Sequence, residues 1–529
     1  MNKKLCIVLV ALLGVLQSPA EIKINYAKAN AQAQREYMKP LRPGTDGINP
    51  FWNGFAKKFL FVPAFDFKTA AGAKEYLFVI KGEKGGMWSF KANKPTANLS
   101  PVWAQIPAGN VKLAVIALDQ NGKQTADTVG QRKFLRDFPF SGPYNHPTRP
   151  YKEAAMKAML FTHNLPAIHH WINSTEPDMS YSHNTYAAKI MSATIENEVL
   201  VARYFPLLKN DAVQMARNIT TCLMNLSQPK GSALAYFPPT YYKGLIASAR
   251  AENQGKTMTM EACGMGDVLL DLYELTKDRQ YLDWALGIAD TYLRLQRPDG
   301  SFPTKVDLQT GAPVNEACAM LNPLLSFWRT LQDKYGQTKY ESARLKGEKW
   351  MHDVAIRKFD ITGQFEDVSI LKLKPYENLT NCTASTYASY LYSQKKPTKE
   401  ELQDAEDLME LSEDQFTFWD YLPDENGLRR MNAPCVFEQY KYQMAVDASA
   451  RNVSGGFLDK YLCTGDQLAL AKATALVNQM TIMQNPVSGQ IPTTWASKYK
   501  VEDPLSYWVN CCVACVKMLL RMDQLGEID

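Results

Sequence analysis

The sequence predicts a mainly α-helical protein, an (α/α)6 toroid of helical hairpins preceded by a small antiparallel β-sandwich. Three observations predict it: a glycine-containing loop that recurs at a nearly fixed interval, pairs of apolar helical runs joined by tight turns, and strand-like runs confined to the first part of the chain. A period of this size is typical of stacked supersecondary units. The recurring glycines are Gly231, Gly300, Gly363, Gly427 and Gly489, at intervals of 69, 63, 64 and 62 residues.

Residues 1–20 have the pattern of a secretory signal peptide. Lys3 and Lys4 precede an apolar run over residues 5–16, and Ser18-Pro19-Ala20 offers small residues for cleavage. The run is too short to span a bilayer, so we expect an exported protein, periplasmic or secreted, that is not inserted in a membrane. Its removal lowers the net charge from +5 to about +3, which argues against nucleic acid as a partner.

The next part of the chain changes from polar to strand-like. Residues 21–45 are expected to be extended. Residues 46–140 contain runs rich in aromatic and β-branched residues, separated by Gly, Asn and Lys turns, and predict a sandwich similar to fibronectin type III domains. The predicted strands cover residues 58–63, 76–80, 87–90 and 111–118.

Residues 150–529 form the predicted toroid. Apolar helical runs over residues 262–275 and 281–295 flank Thr276-Lys277-Asp278, and a similar turn, Thr464-Gly465-Asp466, precedes the run over residues 468–483. An open solenoid would have the same periodicity. Hairpins of about 62 residues exceed the roughly 34–47 residues of common helical solenoids, and we therefore favour the closed ring.

The long loops all fall on one face of the predicted ring, where a rigid scaffold would carry the functional residues. Hydrolysis of a glycosidic bond needs two carboxyl groups flanking it. The candidate catalytic residues are Glu366, Asp367 and Glu438, which we expect to open the inner helices after the loops of Gly363 and Gly427. A carboxylate in that position can also simply cap a helix.

Aromatic rings and hydrogen-bonding side chains on the same loops suit a sugar chain. The sequence thus predicts a glycoside hydrolase acting on an oligosaccharide or polysaccharide. Arg429, Arg430 and Lys498 would favour an acidic sugar. Two alternatives remain: a polysaccharide lyase using Tyr181, His183, Tyr241 and Arg429, or a glycan-binding protein without catalysis. The candidate substrate-binding residues are Tyr236, Tyr241, His183, Trp419, Arg429, Tyr440 and Trp495.

The spacing of the cysteines and histidines indicates whether the chain could bind a metal ion. Nine cysteines follow Cys6, an odd number at irregular spacing, so they do not predict a disulfide scaffold. Cys435 and the pair Cys511-Cys512 lie a little over one hairpin apart and could join Glu438 around zinc or supply a thiolate. The alternative, which we favour, is that these cysteines are buried in the core. No histidine pair has helical ligand spacing, so a histidine-based metal site is not expected either. We expect no metal and no cofactor.

Several segments resemble the six-hairpin glycosidase superfamily, and more narrowly a group of exported Bacteroidetes proteins with a fibronectin-like domain before an (α/α)6 toroid. The resemblance covers nearly the whole chain after residue 20 and implies the toroid fold and activity on glycans. The cysteines are also similar to those of family 127 β-L-arabinofuranosidases, but Ala433 and Val513 depart from that pattern. The matching segments are 234–241, 363–368, 375–379, 438–440, 491–495 and 508–511.

Overall fold

A computed structural model gives the fold of most of the chain. Its elements fall into an N-terminal region, which holds two helices and a sheet, and a large helical region. Among the described residues, no helix is both long enough and apolar enough to cross a membrane. The structure describes residues 23–41, 52, 54–244, 253–359, 364–366, 374–420, 432–495 and 507–528.

The N-terminal region begins with a helix where the sequence predicts extended chain. Asn25 starts the helix, because its side-chain oxygen accepts a hydrogen bond from the Lys28 amide. Ala29 and Ala33 lie on one face and are fully buried. Five strands follow α1 along the chain, with a second, short helix between the third and the fourth strand. The elements are α1 (Tyr26–Glu36), β1 (Lys58–Phe59), β2 (Glu75–Gly82), β3 (Met87–Ala92), α2 (Ser100–Trp103), β4 (Gly109–Leu118) and β5 (Gln124–Arg136).

The strands form one five-stranded sheet in the order β1-β5-β4-β2-β3, with β1 parallel to β5 and the other pairs antiparallel. The predicted strands at 76–80, 87–90 and 111–118 are present. The predicted second sheet of a sandwich is absent from the described residues. A short helix and the segment after β1 cover the apolar face of the single sheet instead. Trp103 of α2 packs on Phe134, as do Phe59 of β1 and Phe65 of the segment that follows β1.

The helical region consists of paired helices joined by short turns. The first element, α3 (Tyr151–Asn164), precedes the complete hairpins, and the last helix follows them. The elements are α3, α4 (Pro166–His169), α5 (Ser192–Tyr204), α6 (Lys209–Leu226), β6 (Lys256–Met258), α7 (Glu261–Thr276), α8 (Arg279–Leu295), β7 (Lys305–Asp307), α9 (Asn322–Tyr335), α10 (Glu341–Trp350), α11 (Asn381–Tyr392), α12 (Lys399–Phe416), β8 (Thr417–Phe418), β9 (Cys435–Gln439), β10 (Tyr442–Ala445), α13 (Asp447–Thr464), α14 (Gln467–Met483) and α15 (Val509–Ile528).

The helices close into a toroid, and the alternative of an open solenoid is excluded. Helices α5, α7, α9, α11, α13 and α15 each pack on the next, and α15 packs on α5 to complete an inner ring. Helices α6, α8, α10, α12 and α14 lie outside their preceding inner helices, and α3 lies outside α15. The predicted (α/α)6 fold is therefore confirmed, with the sixth hairpin formed by the first and last long helices of the region.

The tight turns have one geometry in two hairpins. Lys277 and Gly465 adopt left-handed backbone conformations, with φ of 59° and 74°, and each amide bonds the carbonyl four residues earlier. Asp278 and Asp466 then cap the outer helices through their side-chain oxygens. A left-handed residue that ends one helix, followed by an Asp that begins the next, explains the repeated sequence pattern.

Two of the recurring glycines, Gly300 and Gly489, lie where neighbouring hairpins approach one another closely. Gly231, Gly300 and Gly489 have φ of 96°, 95° and 83°, a region that side chains other than glycine rarely adopt. A Cβ on Gly300 would lie 2.4 Å from the carbonyl oxygen of Lys346, at the next outer helix, α10. A Cβ on Gly489 would lie 2.6 Å from the corresponding oxygen of Lys157 in α3. Gly363 and Gly427 lie outside the described residues.

Substitution of Gly489 by Ala is expected to lower the free energy of unfolding by about 2–4 kcal/mol, because it adds backbone strain to a steric overlap with α3. Thermal unfolding would measure the loss. Gly231→Ala is the matched control: it has the same type of φ but open space around the new Cβ, so about 1 kcal/mol is expected. Equal losses in the two variants would contradict a role for Gly489 in ring closure.

The sheet is fixed to the toroid by a buried polar contact. The amides of Leu60 and Phe61 donate to Asp414 Oδ1 of α12 at 2.6 and 2.8 Å. Lys58 Nζ donates to the Asp414 carbonyl at 2.6 Å and pairs with the buried Asp137 at 3.1 Å. The predicted strand at 58–63 is therefore only two residues long, since its next two amides bond a side chain of the toroid.

Candidate active site

The N-termini of the inner helices meet on the face that carries the long loops. This region, which we call the mouth, contains charged and aromatic side chains supplied by the loops and by the first residues of the helices. Lys189 reaches it from a π-helical turn, Ala187–Met191, that leads into α5. Single π-helical turns occur frequently at functional sites.

Glu261, the first residue of α7, is a carboxyl group of the mouth with a raised pKa. Burial, together with the neighbouring Glu366 carboxylate, raises the pKa of Glu261 to about 7. Thr240 Oγ1 donates to Glu261 Oε2 at 2.6 Å, and the Met258 amide of β6 in turn donates to Thr240 Oγ1 at 2.9 Å. The side chain therefore has a defined orientation, and near neutral pH it is partly protonated.

Glu366 is the second carboxyl group of the mouth, and it forms an ion pair with Lys189. The Glu366 side chain is 7% exposed and that of Lys189 is 24% exposed. Lys189 Nζ also lies 5.7 Å from the ring centroid of Trp508 and 5.8 Å from that of Tyr186. Glu366 thus has a positive charge beside it, whereas Glu261 is destabilised in its ionised form, so the two carboxyl groups have different environments.

The backbone at Glu366 is held by three side chains from other parts of the chain. Its carbonyl oxygen accepts hydrogen bonds from Lys305 Nζ at 2.7 Å, Tyr241 OH at 3.1 Å and Asn253 Nδ2 at 3.2 Å. Lys305 opens β7, which pairs with β6 immediately before α7. The β6–β7 ribbon therefore fixes Glu366 relative to Glu261. We call these three donors the carbonyl anchor.

Aromatic rings form one wall of the mouth. His183 stacks on Trp508 with ring centroids 4.0 Å apart, and Tyr186 lies 5.3 Å from Trp508 and 5.9 Å from Tyr241. Tyr186 and Tyr241 are buried, whereas His183 and Trp508 are partly exposed. Such a surface can pack against the apolar face of a ring-shaped ligand.

Two further acidic residues lie on another side of the mouth. Asp447 opens α13 and is fully buried, and Glu438 lies in β9. Burial raises the pKa of Cys511 well above its usual value, and the negative charges of Asp447 and Glu438 act in the same direction while Lys189 opposes them. The thiol of Cys511 is consequently a poor source of thiolate.

The structure brings three of the predicted site residues together: Glu366, Tyr241 and His183. Glu438 lies near the N-terminus of α11, where the Asn381 amide group donates to its carbonyl oxygen at 3.0 Å. Glu366 and Glu438 were expected to be the first residues of inner helices, and neither is. Those helices begin at Asn381 and Asp447, because the loops before them continue past the predicted carboxylates.

Four predicted substrate-binding residues lie elsewhere. Trp419 is fully buried, and its Nε1 donates to Glu413 at 2.8 Å. Trp495 is also fully buried. Tyr440 stacks on Phe416 with centroids 5.4 Å apart. These three rings contribute to packing beside the loops. Tyr236 lies against the outer helix α8, where its ring packs on Gly287. Asp367, Arg429, Arg430 and Lys498 lie outside the described residues.

Sequence reasoning misses Glu261, Lys189 and Trp508. Glu261 could have been identified as a candidate from the sequence, because it is the residue immediately before the apolar run at 262–275. Lys189 lies in a segment with no distinctive pattern, and Trp508 lies at the start of the last helix. Their proximity arises from ring closure, which joins parts of the chain more than 300 residues apart.

The cluster of Cys435, Cys511, Cys512 and Glu438, which the sequence allows but does not favour, does not form. Cys435 is buried beside Asp137 and Lys58, near the contact between the sheet and the toroid. Within the described ranges, no group of three or more His, Cys, Asp or Glu residues is arranged to hold a metal ion.

Comparisons with solved structures give similarities at low identity. A family 76 glycoside hydrolase from a bovine strain of Bacteroides thetaiotaomicron is 12% identical, with a TM-score of 0.41, over 89% of this chain and 100% of that one. Cellobiose 2-epimerase from Spirochaeta thermophila is 11% identical (TM-score 0.45; 71% and 100% covered). An unsaturated glucuronyl hydrolase specific for heparin is 11% identical (0.45; 72% and 98%). At these values the similarities carry no argument about activity.

No protein-family model matches the sequence, and no curated protein matches it.

Proposed function

We propose that this protein is an exported glycoside hydrolase whose catalytic carboxyl groups are Glu261 and Glu366. The observation that carries the proposal is the difference between the two side chains in one mouth. Burial raises the pKa of Glu261 to about 7, while Glu366 is ion-paired with Lys189. Pairs of carboxyl groups in contrasting environments are how glycosidases divide acid and base roles.

In this proposal the protonated Glu261 donates its proton to the glycosidic oxygen as the bond to the leaving sugar breaks. Glu366 acts from the other side, either on a water molecule or directly on the anomeric carbon. Thr240 orients the acid, and the carbonyl anchor orients Glu366. The exposed rings of Trp508 and His183 supply a surface on which a sugar ring can stack.

The contacts of Tyr181 and Tyr241 argue against these two residues as the base that the lyase alternative needs. A lyase needs a base that removes a proton from the sugar ring. Tyr181 OH donates to the Tyr507 carbonyl at 2.6 Å, and Tyr241 OH donates to the Glu366 carbonyl at 3.1 Å. Each hydroxyl proton is thus already committed to a backbone acceptor, which disfavours these residues as bases.

The proposed substrate is an oligosaccharide or polysaccharide. The direct test incubates the purified protein with neutral and uronate-containing glycans and measures reducing-end release together with absorbance of unsaturated products. Release without an absorbance rise is expected. It should be lost in Glu366→Gln and retained in Glu341→Gln, an exposed glutamate that begins an outer helix away from the mouth. A rise in absorbance would establish a lyase, and binding without any release would favour a glycan-binding protein.

Lys305→Met is expected to reduce kcat by about tenfold to a hundredfold, because it removes the shortest hydrogen bond of the carbonyl anchor and lets Glu366 shift. Steady-state kinetics at the pH optimum would measure the change. Lys256→Met in the paired strand β6 is the matched control, since Lys256 lies opposite Asp307 rather than beside Glu366. A kcat for Lys305→Met equal to that of the control would rule out this positioning role.

A further inference from the structure

An open groove of about 620 Å³ lies on the outside of the toroid, between the loop after α6 and the outer helix α8. It is separate from the mouth, since its walls come from an outer helix rather than from the inner ring. Its volume is in the range of roughly 300–1,000 Å³ typical of small-molecule sites. It is lined by Lys230, Gly231, Ser232, Ala235, Tyr236, Asp283, Leu286, Gly287, Asp290 and Arg294.

Tyr236 is held in this groove by an unusual backbone conformation. Its φ is 69°, which is uncommon for a residue with a bulky side chain and is often found at functional sites. The Tyr236 amide donates to the Gln228 carbonyl at 2.9 Å, which fixes the turn. The ring rests on Gly287, where a Cβ would approach it to 2.7 Å, and Trp284 meets it edge-on at 5.1 Å. The absence of a side chain at 287 therefore creates the seat for the ring.

The acidic groups of the groove are held in place by partners outside its lining. Asp283 pairs with Arg279 at 2.8 Å, and Asp290 pairs with Lys339 at 2.6 Å and accepts a hydrogen bond from Tyr340 OH at 2.7 Å. Because these partners already neutralise both acids, Lys230 and Arg294 add positive charge to the groove. The Ser232 hydroxyl is buried and has no hydrogen-bond partner among the described residues. A buried hydroxyl of this kind favours a ligand that can both donate and accept hydrogen bonds.

We infer that this groove is a second carbohydrate-binding site, which takes a segment of a glycan chain. A tyrosine ring supported from behind suits the apolar face of a sugar, and the polar side chains of the groove suit its hydroxyls. Because Lys230 and Arg294 would attract any polyanion, binding of a neutral chain is the observation that tests recognition of the sugar itself. The inference rests on the proposed function only for the class of ligand.

The test is electrophoresis of the protein through gels containing yeast mannan, birchwood xylan, barley β-glucan or, as the charged probe, heparin. All proteins carry Glu261→Gln so that the probe is not consumed if the proposed function is correct. Tyr236→Gly removes the ring and tolerates the left-handed backbone. The matched control is Lys277→Gly, which makes the same change at another residue of positive φ, at a turn between helices.

Retardation by at least one neutral polysaccharide is expected, with affinity about five- to tenfold weaker in Tyr236→Gly and unchanged in Lys277→Gly. Gly287→Ala, which displaces the ring without deleting it, should weaken binding as well. The inference is overturned if no neutral polysaccharide retards the protein, if heparin alone does, or if Tyr236→Gly binds like the control. If no binding depends on Tyr236 while the parent protein, with Glu261 intact, hydrolyses a glycan, the groove alone is refuted. Binding at the groove without turnover of any glycan would refute only the proposed function.

Discussion

Glu261→Gln is expected to lower kcat by roughly 10²–10⁴-fold, because the amide cannot donate the proton that a general acid supplies. The parent protein should lose activity as the pH rises through about 7, since burial and Glu366 raise the pKa of Glu261 to about that value and the acid form disappears above it. A pH profile of kcat/KM would measure this limb. Glu341→Gln should keep the profile of the parent.

The raised pKa of Glu261 also predicts how the free energy of unfolding changes with pH. A carboxyl group whose folded pKa is about 7, against an ordinary value of 4.5, binds its proton more tightly when folded. The stability gained from this proton is complete below about pH 4.5 and is lost as the pH rises through about 7. Glu261→Gln, which mimics the protonated form, should therefore be more stable than the parent at pH 8.5, by roughly 1–3 kcal/mol. Melting temperatures that differ equally at pH 5 and pH 8.5 would contradict the assigned pKa.

Asp414→Ala is expected to lower the free energy of unfolding by about 3–5 kcal/mol, because it leaves the buried amides of Leu60 and Phe61 without an acceptor. It also removes a negative charge near the buried Lys58. Denaturant unfolding followed by circular dichroism would measure the loss, and the sheet should detach from the toroid first, detected by early proteolysis between residues 58 and 140.

Asp271→Ala is the matched control for that variant. Asp271 forms an ion pair with Arg203 at 3.2 Å, but both side chains are about two-fifths exposed, at 42% and 41%. Exposed pairs contribute about 0–1 kcal/mol, so little change is expected. A loss at Asp414 no larger than at Asp271 would show that the buried contact does not hold the sheet.

The helical architecture could be predicted because its signals are local. Lys277 and Gly465 end their helices in left-handed conformations next to capping aspartates, and this chemistry is visible in three consecutive letters of sequence. The recurring glycines are local signals too, although the close approach of Gly300 and Gly489 to the next outer helix is visible only in the fold. Helix α1 was missed because its stability comes from burial of Ala29 and Ala33, which a polar composition conceals.

The candidate site could be predicted only in part, because it depends on distances between remote parts of the chain. Glu366 and Tyr241 lie on recognisable loops and were found. Glu261 was not, since an acidic residue at the start of a helix usually has a capping role. What distinguishes Glu261 from other such residues is the Glu366 carboxylate, which is close in space but more than 100 residues away in the sequence. Lys189 likewise acquires its importance from Glu366 and Trp508, neither of which is its neighbour in sequence.

The pairing of α3 with α15 has a consequence for the order of assembly. Five hairpins are contiguous in the chain and can form as soon as each is synthesised, but the sixth needs its two ends to meet across some 350 residues. Lys189 and Trp508 flank this seam, and so the aromatic wall of the mouth is incomplete until it closes. A growing chain would therefore hold folded helices well before it holds a finished site, and maturation of the mouth would coincide with the last event of folding.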